Sequence, residues 1–355
     1  MSSELRALHG LLACRGLDLP AGGVPSGGVP SGDLASGGVP SGGVEEALDE
    51  VWQRHPFALA AALTEHVHGV LPLLDAFDAV DTVDAAAEAD GVRTGRLTAA
   101  LGLFTPNALF SLAAPTVRAT LRAAEDGGRV VLHGRYRYAT EDADLSVVGV
   151  ALDGEARLAL VRHDAPGVRL HGAGRATGWG WADLDGVALA PTALSRPVDW
   201  SPTGLPAAVL DGYAWAFVRR APAWPARVVA DLRRVLATTG EGVEALSTSQ
   251  ELAHELSRLE IEISLAAAAA RFGPGFKAGQ PGGQAALAVL LSCVDLARRA
   301  ARLAEDLATE LGLPNTPVDA ADWPADAVQA LFGGRRVVEG ELARRMGLIP
   351  AEVAS

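Results

Sequence analysis

The sequence predicts an α+β protein in three parts: an N-terminal helical domain, a central β domain and a C-terminal four-helix bundle. Three observations carry this. Apolar residues recur at helical spacing up to about residue 98, the period drops to two over roughly 101–198, and helical spacing returns from Pro206 almost to the end. The boundaries that follow are 1–98, 99–200 and 201–355.

The first part opens with a short-period repeat. Gly22-Gly23-Val24-Pro25-Ser26, Gly27-Gly28-Val29-Pro30-Ser31 and Gly37-Gly38-Val39-Pro40-Ser41 fall within a loop over 22–44. Glycine leaves that backbone permissive, proline removes donors, and little apolar surface remains to bury, so the expectation is a surface loop or linker. From Val44 the pattern is helical, with Val44, Leu48 and Val51 at i, i+4 and i+7 and a second apolar series from Phe57 to Leu74. Glu65, His66 and His68 invite a metal reading, but residues two apart point to different sides of a helix. Solvated or helix-edge histidines are the expectation.

Short β-branched or aromatic runs mark the second part. Val117 to Leu121, Arg129 to Tyr138, Leu145 to Leu152, Ala156 to Arg162 and Trp181 to Leu189 are separated by Asp-Gly, Pro-Gly and Gly-rich turns. Arg135 and Arg137 alternate with Tyr136 and Tyr138, so the two arginines share one strand face, where a solvated face or a phosphate contact would suit them. Trp179 and Trp181 flank Gly180 and suit either packing or a pocket wall.

The third part comprises helical segments 206–239, 246–272, 283–312 and 325–346, rich in Ala, Leu, Arg and Glu. Ser247, Thr248 and Ser249 offer N-caps, with Glu251 placed to complete a capping box on Thr248.

Composition narrows the function classes. At 355 residues, 49% hydrophobic and 21% charged, the chain can bury a substantial core. Its formal charge is −13, and Lys277 is its one lysine among arginines, so no basic stripe is present to hold nucleic acid. Cys14 and Cys293 lack metal-ligand spacing, which argues against a structural zinc and for a reducing compartment. No apolar run reaches the ~18 residues of a membrane span. Met1-Ser2-Ser3-Glu4 does not begin a secretion signal, so a cytoplasmic location is expected.

Local patterns then give a resemblance. Gly134-Arg135-Tyr136-Arg137-Tyr138-Ala139-Thr140 followed by Ala143-Asp144 is similar to the strand "G-x-K-x-[WF]-I-T" and the later "A-D" of the acyl-CoA dehydrogenase family. In the same order come Leu160-Val161 with Pro166-Gly167-Val168, Asp185-Gly186-Val187 with Leu189 to Pro191, Gln250 with His254, and Gly333 to Arg345. These span roughly 100–346.

The resemblance implies an acyl-CoA or acyl-thioester ligand, FAD as hydride acceptor and a carboxylate base that removes the α-proton. It also implies homo- or hetero-oligomers. Where the family carries that base in "Y-E-G-T", this chain reads Leu331-Phe332-Gly333-Gly334, and Phe332 accepts no proton. Glu339 in a shifted register, or Asp211 on the first bundle helix, are the substitutes available. The flavin loop "T-E-P-G-A-G-S-D" becomes Phe104 to Ser111: Thr105, Pro106 and Ala108 remain candidate contacts, but Leu109 and Phe110 add bulk where small residues admit the cofactor. Thr140 stands where the family places a hydroxyl beside the flavin ring, Tyr138 where an aromatic shields it, and Arg233 where an arginine helps hold the adenine end across a subunit interface. The glycine-rich turn of the family keeps one glycine, Gly312.

Three functions follow as expectations: a redox-inactive or half-active subunit of a heteromeric enzyme, a flavin monooxygenase, or a non-redox enzyme or binding protein reusing the cleft.

Overall fold

The computed structural model describes residues 41–55, 57–77, 83–103, 115, 117–122, 128–138, 143–173, 179–201, 204–238, 240, 244, 249–272, 282–310, 339 and 343. Helices come first: α1 (Ser41–Arg54), α2 (Phe57–Glu65), a π-helical turn (His66–Val70), α3 (Leu71–Leu74) and α4 (Val83–Arg93). Helix α1 buries Val44, Leu48, Val51 and Trp52 on one face, and Pro56 follows its end, where the residue before a proline leaves helical geometry. The π turn precedes Pro72. Proline offers no N–H to the carbonyl four residues back and its ring crowds that carbonyl, so the turn widens and Leu71 N–H bonds His66 O instead.

Seven strands follow among the described residues: β1 (Ala99–Gly102), β2 (Val117–Arg122), β3 (Arg129–Tyr138), β4 (Leu145–Leu152), β5 (Glu155–Arg162), β6 (Val168–Ala173) and β7 (Trp179–Leu189). β1 and β2 lie end to end, parallel, along one edge of β4, while β5 pairs antiparallel along the other. The sheet continues β2-β3-β7-β6, all antiparallel. Strands β1 and β6 fall outside the runs the sequence singled out; β1 has only four residues, Ala-Ala-Leu-Gly, too few to show alternation.

Strand β4 is covered on both faces, which is why it reads as a continuous apolar run. Leu145 and Val147, with Leu158 and Leu160 of β5, join the helical core. Val148 and Val150, with Ala159 and Val161, face the interior of the β domain. The two cores therefore share one strand pair as their wall.

The bundle comprises α5 (Leu205–Arg220), α6 (Ala223–Thr238), α7 (Gln250–Phe272) and α8 (Gly282–Glu310). The expected single helical segment 206–239 is two helices, because Pro222 interrupts the hydrogen-bond ladder between them. Ser249 caps α7, its hydroxyl accepting from Leu252 N at 3.2 Å. Thr248, expected in that role, lies outside the described residues, as does the expected segment 325–346 apart from 339 and 343 and the expected loop over 22–44 as far as residue 40.

An ion network ties α1 to α5. The Arg220 side chain, 2% exposed, pairs with Glu45 Oε2 at 2.6 Å and Asp49 Oδ1 at 2.8 Å and donates to Ala216 O at 2.9 Å. His68 Nε2 reaches Glu45 Oε1 at 3.2 Å. The His68 contact foremost, then Arg220, outweigh burial and hold the Glu45 carboxyl down to about 2.

Candidate functional site

Two clusters of buried polar side chains stand out. The first lies inside the β domain. Tyr136 and Tyr138 point inward from β3 by strand alternation, and their rings meet edge to face with centroids 6.4 Å apart. Ser146 enters from β4 and His163 from the end of β5, strands whose register pairs Leu145 with Arg162. Ser146 Oγ lies 2.7 Å from His163 Nε2, and the Tyr138 ring packs 5.5 Å from the imidazole.

Burial pushes the His163 imidazole down to about 4, more than the Ala143 carbonyl and the Asp144 charge restore, so it is neutral at pH 7. Burial also raises the Tyr136 phenol, which sits beside the Ser146 hydroxyl. Ser146 is fully buried. A serine and a neutral histidine this close invite a nucleophile reading, but no substrate atom reaches a hydroxyl sealed in a packed interior. The contact satisfies the Ser146 hydroxyl and one imidazole nitrogen inside the β core. Nothing in the sequence signals it, since the two residues meet only through strand register.

The second cluster lies where the N-terminal helices, β1 and α5 meet. Glu65 ends α2 at the entry to the π turn, is 1% exposed, and accepts a hydrogen bond from Leu101 N of β1 at 2.7 Å. Desolvation, opposed only by that bond, pushes its carboxyl up to about 8, so the group is protonated at neutral pH. Tyr213 of α5 is 2% exposed, its phenol raised first by burial and then by the charge of Glu65, and its Oη finds no partner among the described residues. The sequence pointed to Glu65 only as a metal ligand beside His66 and His68. His66 is buried, His68 turns to Glu45, and no group of metal-binding side chains forms among the described residues.

The sequence-derived candidates fall apart in space or beyond view. Thr105, Pro106, Ala108, Thr140 and Phe332 lie outside the described residues. Asp211 sits on α5, two residues before Tyr213, with its side chain outside them too. Glu339 is an exposed helical residue. Arg233 is exposed on α6 and ion-paired to Glu260 of α7. Tyr138, expected to shield a flavin ring, is instead 1% exposed within the β core. Its cross-strand partner is Gly180, where a Cβ would overlap the Tyr138 ring. Of the described candidates, Tyr138 is therefore enclosed in the β core and Arg233 lies out on the bundle surface.

The outer face of β3 carries no free phosphate grip either. Arg135 pairs with Asp183 at 2.5 Å, which His171 also reaches at 2.9 Å, and Arg137 stacks over Trp181 at 5.4 Å. Cys293 is buried in the bundle, its thiol pushed up to about 12 by desolvation. No helix among the described residues is long and apolar enough to cross a membrane.

Helices, then a mixed sheet, then a helical bundle define the class: the chain has the acyl-CoA dehydrogenase fold. Butyryl-CoA dehydrogenase from Megasphaera elsdenii superposes with a TM-score of 0.63 at 17% identity, covering 86% of this chain and 81% of that one. Glutaryl-CoA dehydrogenase from Mycobacterium smegmatis gives 0.60 at 17%, covering 99% and 95%. FkbI, named for biosynthesis of the methoxymalonyl extender unit of a polyketide immunosuppressant, gives 0.62 at 18%, covering 86% and 84%. No family model matches the sequence, and no curated protein matches it.

Proposed function

We propose that this chain binds an acyl thioester on an acyl-CoA dehydrogenase scaffold and serves as the redox-inactive or half-active subunit of a heteromeric flavin-dependent oxidoreductase. The observation that carries this reading is the burial of Tyr138: the aromatic that would wall the flavin is committed to packing against Gly180 and His163. Phe332 at the position of the base points the same way, because a benzyl group accepts no proton. Support for a thioester ligand comes from the neighbours in fold, two of which carry acyl-CoA substrates in their names.

The test is a visible spectrum of the purified protein with and without added FAD, followed by a butyryl-CoA turnover assay with an artificial electron acceptor. The expected results are no flavin band and no turnover by the isolated chain, with activity only when an intact dehydrogenase-like partner is co-expressed. Turnover by the isolated polypeptide overturns the proposal.

A further inference from the structure

We infer that the outer face of β2, β3, β7 and β6 is a docking surface for a partner protein that presents clustered carboxylates. The inference goes beyond the acyl-thioester reading and does not depend on it. Three observations carry it.

Strand register assembles a basic face that no single run of the sequence shows. Arg118 and Arg122 of β2 stand opposite His133 and Arg129 of β3, and alternation puts Arg135 and Arg137 on the same side. Across β7 and β6 the face continues through Trp181, Asp183 and Asp185 to Arg169 and His171. With the histidines neutral, six arginines stand against two aspartates, in a chain whose formal charge is −13. Every one of these arginines except Arg137 is exposed. Arg118 pairs with Ala151, so this side is the one on which β4 meets the helical core, running on past it into solvent.

The charge at the β2 end is uncompensated. Arg135 and Arg169 are paired with Asp183 and Asp185, and Arg137 stacks on Trp181. Arg118, Arg122 and Arg129 make no ion pair among the described residues. Arg122 and Arg129 are moreover directly opposed, an arrangement in which like charges weaken a strand pair. Incoming carboxylates relieve that repulsion, and a guanidinium fork accepts them bidentately.

The mixture of signs selects the kind of partner. Asp183 and Asp185 lie among the arginines, so a protein surface, which can carry both signs, complements the face better than a uniform polyanion. Nucleic acid or an anionic bilayer would also bring its continuous charge against the rest of a strongly acidic chain. Arginine and tryptophan, joined here as Arg137 on Trp181, are the residue types that anchor protein contacts. A second copy of this chain could answer the face only with an acidic surface from elsewhere on the molecule, a head-to-tail contact that need not close. The face measures about 27 Å along β3 and about 14 Å across four strands, which suits a small transient interface.

The experiment is fluorescence anisotropy of the full chain with a labelled helical peptide carrying glutamates at i and i+4, its glutamine counterpart and a short DNA duplex. Co-sedimentation with phosphatidylserine vesicles and sedimentation velocity of the chain alone complete it. Each measurement is repeated on Arg118→Glu with Arg122→Glu, on Arg118→Gln with Arg122→Gln, and on Arg54→Glu with Arg258→Glu. The last pair changes the net charge equally at two exposed helical arginines. Arg122→Glu sets opposite charges across the strand pair in place of like ones, so the fold is expected to tolerate it. The glutamate peptide is expected to bind the wild type and the helical control alike, and the charge-reversed face about tenfold more weakly. The glutamine face variant is expected to fall between them, and the glutamine peptide is expected not to bind. No binding of the glutamate peptide to the wild type, or equal binding to the charge-reversed face, overturns the inference. Tighter, face-dependent binding of DNA or vesicles overturns it in favour of a polyanion, and self-association abolished by the face variants overturns it in favour of a second copy.

Discussion

Tyr138 on β3 and Gly180 on β7 are directly opposed across the strand pair, and the ring lies over the glycine where any Cβ would sit. The contact is steric, so it makes a sharp prediction. Gly180→Ala is expected to destabilise the protein by about 1–3 kcal/mol, the cost of forcing extra volume into a filled interior. Gly212, on α5 with nothing within 4 Å of its notional Cβ, is the control. Gly212→Ala is expected to be neutral or stabilising by up to about 1 kcal/mol, from helix propensity. Urea unfolding of the two variants against the wild type separates them.

Glu65 makes stability fall on the alkaline side. Its folded carboxyl titrates near 8 against an ordinary value of 4.5, so between these values the folded state holds a proton the unfolded state has released. Stability is therefore expected to drop as pH rises from about 4.5 to 8, with a slope of at most about 1.4 kcal/mol per unit from this group. Glu65→Gln, which keeps the bond from Leu101 N and cannot ionise, is expected to flatten that limb. Melting temperature measured at half-unit steps from pH 5 to 8.5 checks it.

His163 acts on the acid side. Its folded imidazole titrates near 4 against an ordinary 6.5, so between these values only the unfolded state takes up the proton. Stability is expected to fall as pH drops from 6.5 to 4, again by at most about 1.4 kcal/mol per unit. His163→Gln preserves a partner for Ser146 and is expected to remove this contribution. An unchanged acid limb in that variant would show that the imidazole is solvated.

Arg220 is the buried cation of the joint between α1 and α5. Arg220→Met leaves Glu45 and Asp49 facing an apolar side chain and is expected to cost about 3 kcal/mol, mostly as uncompensated negative charge. The double variant with Glu45→Gln is expected to recover at least about 1 kcal/mol of that loss in a double-mutant cycle.

Much of the architecture was legible in the chain because periodicity is local. Arg129 to Tyr138 and Leu145 to Leu152 carry their strand bounds in their own residues. The break at Pro222 was also written there, but a helical pattern continuing past it hid the division into α5 and α6. The order of the three parts, with the local patterns running from Gly134 to Arg345, led to the fold.

The site was legible only as losses. Phe332 in place of a carboxylate is a fact of sequence, whereas the placing of Gly180 opposite Tyr138 follows from the bulged pairing of β3 with β7. Ser146 and His163 meet through strand register, and Glu65 and Tyr213 are 148 residues apart in number, on α2 and α5. The sequence by itself determined which segments form helices and strands, since spacing decides which side of an element is apolar. Only the tertiary structure decided which polar groups became buried and with whom, because burial and partnership belong to residues brought together from distant parts of the chain.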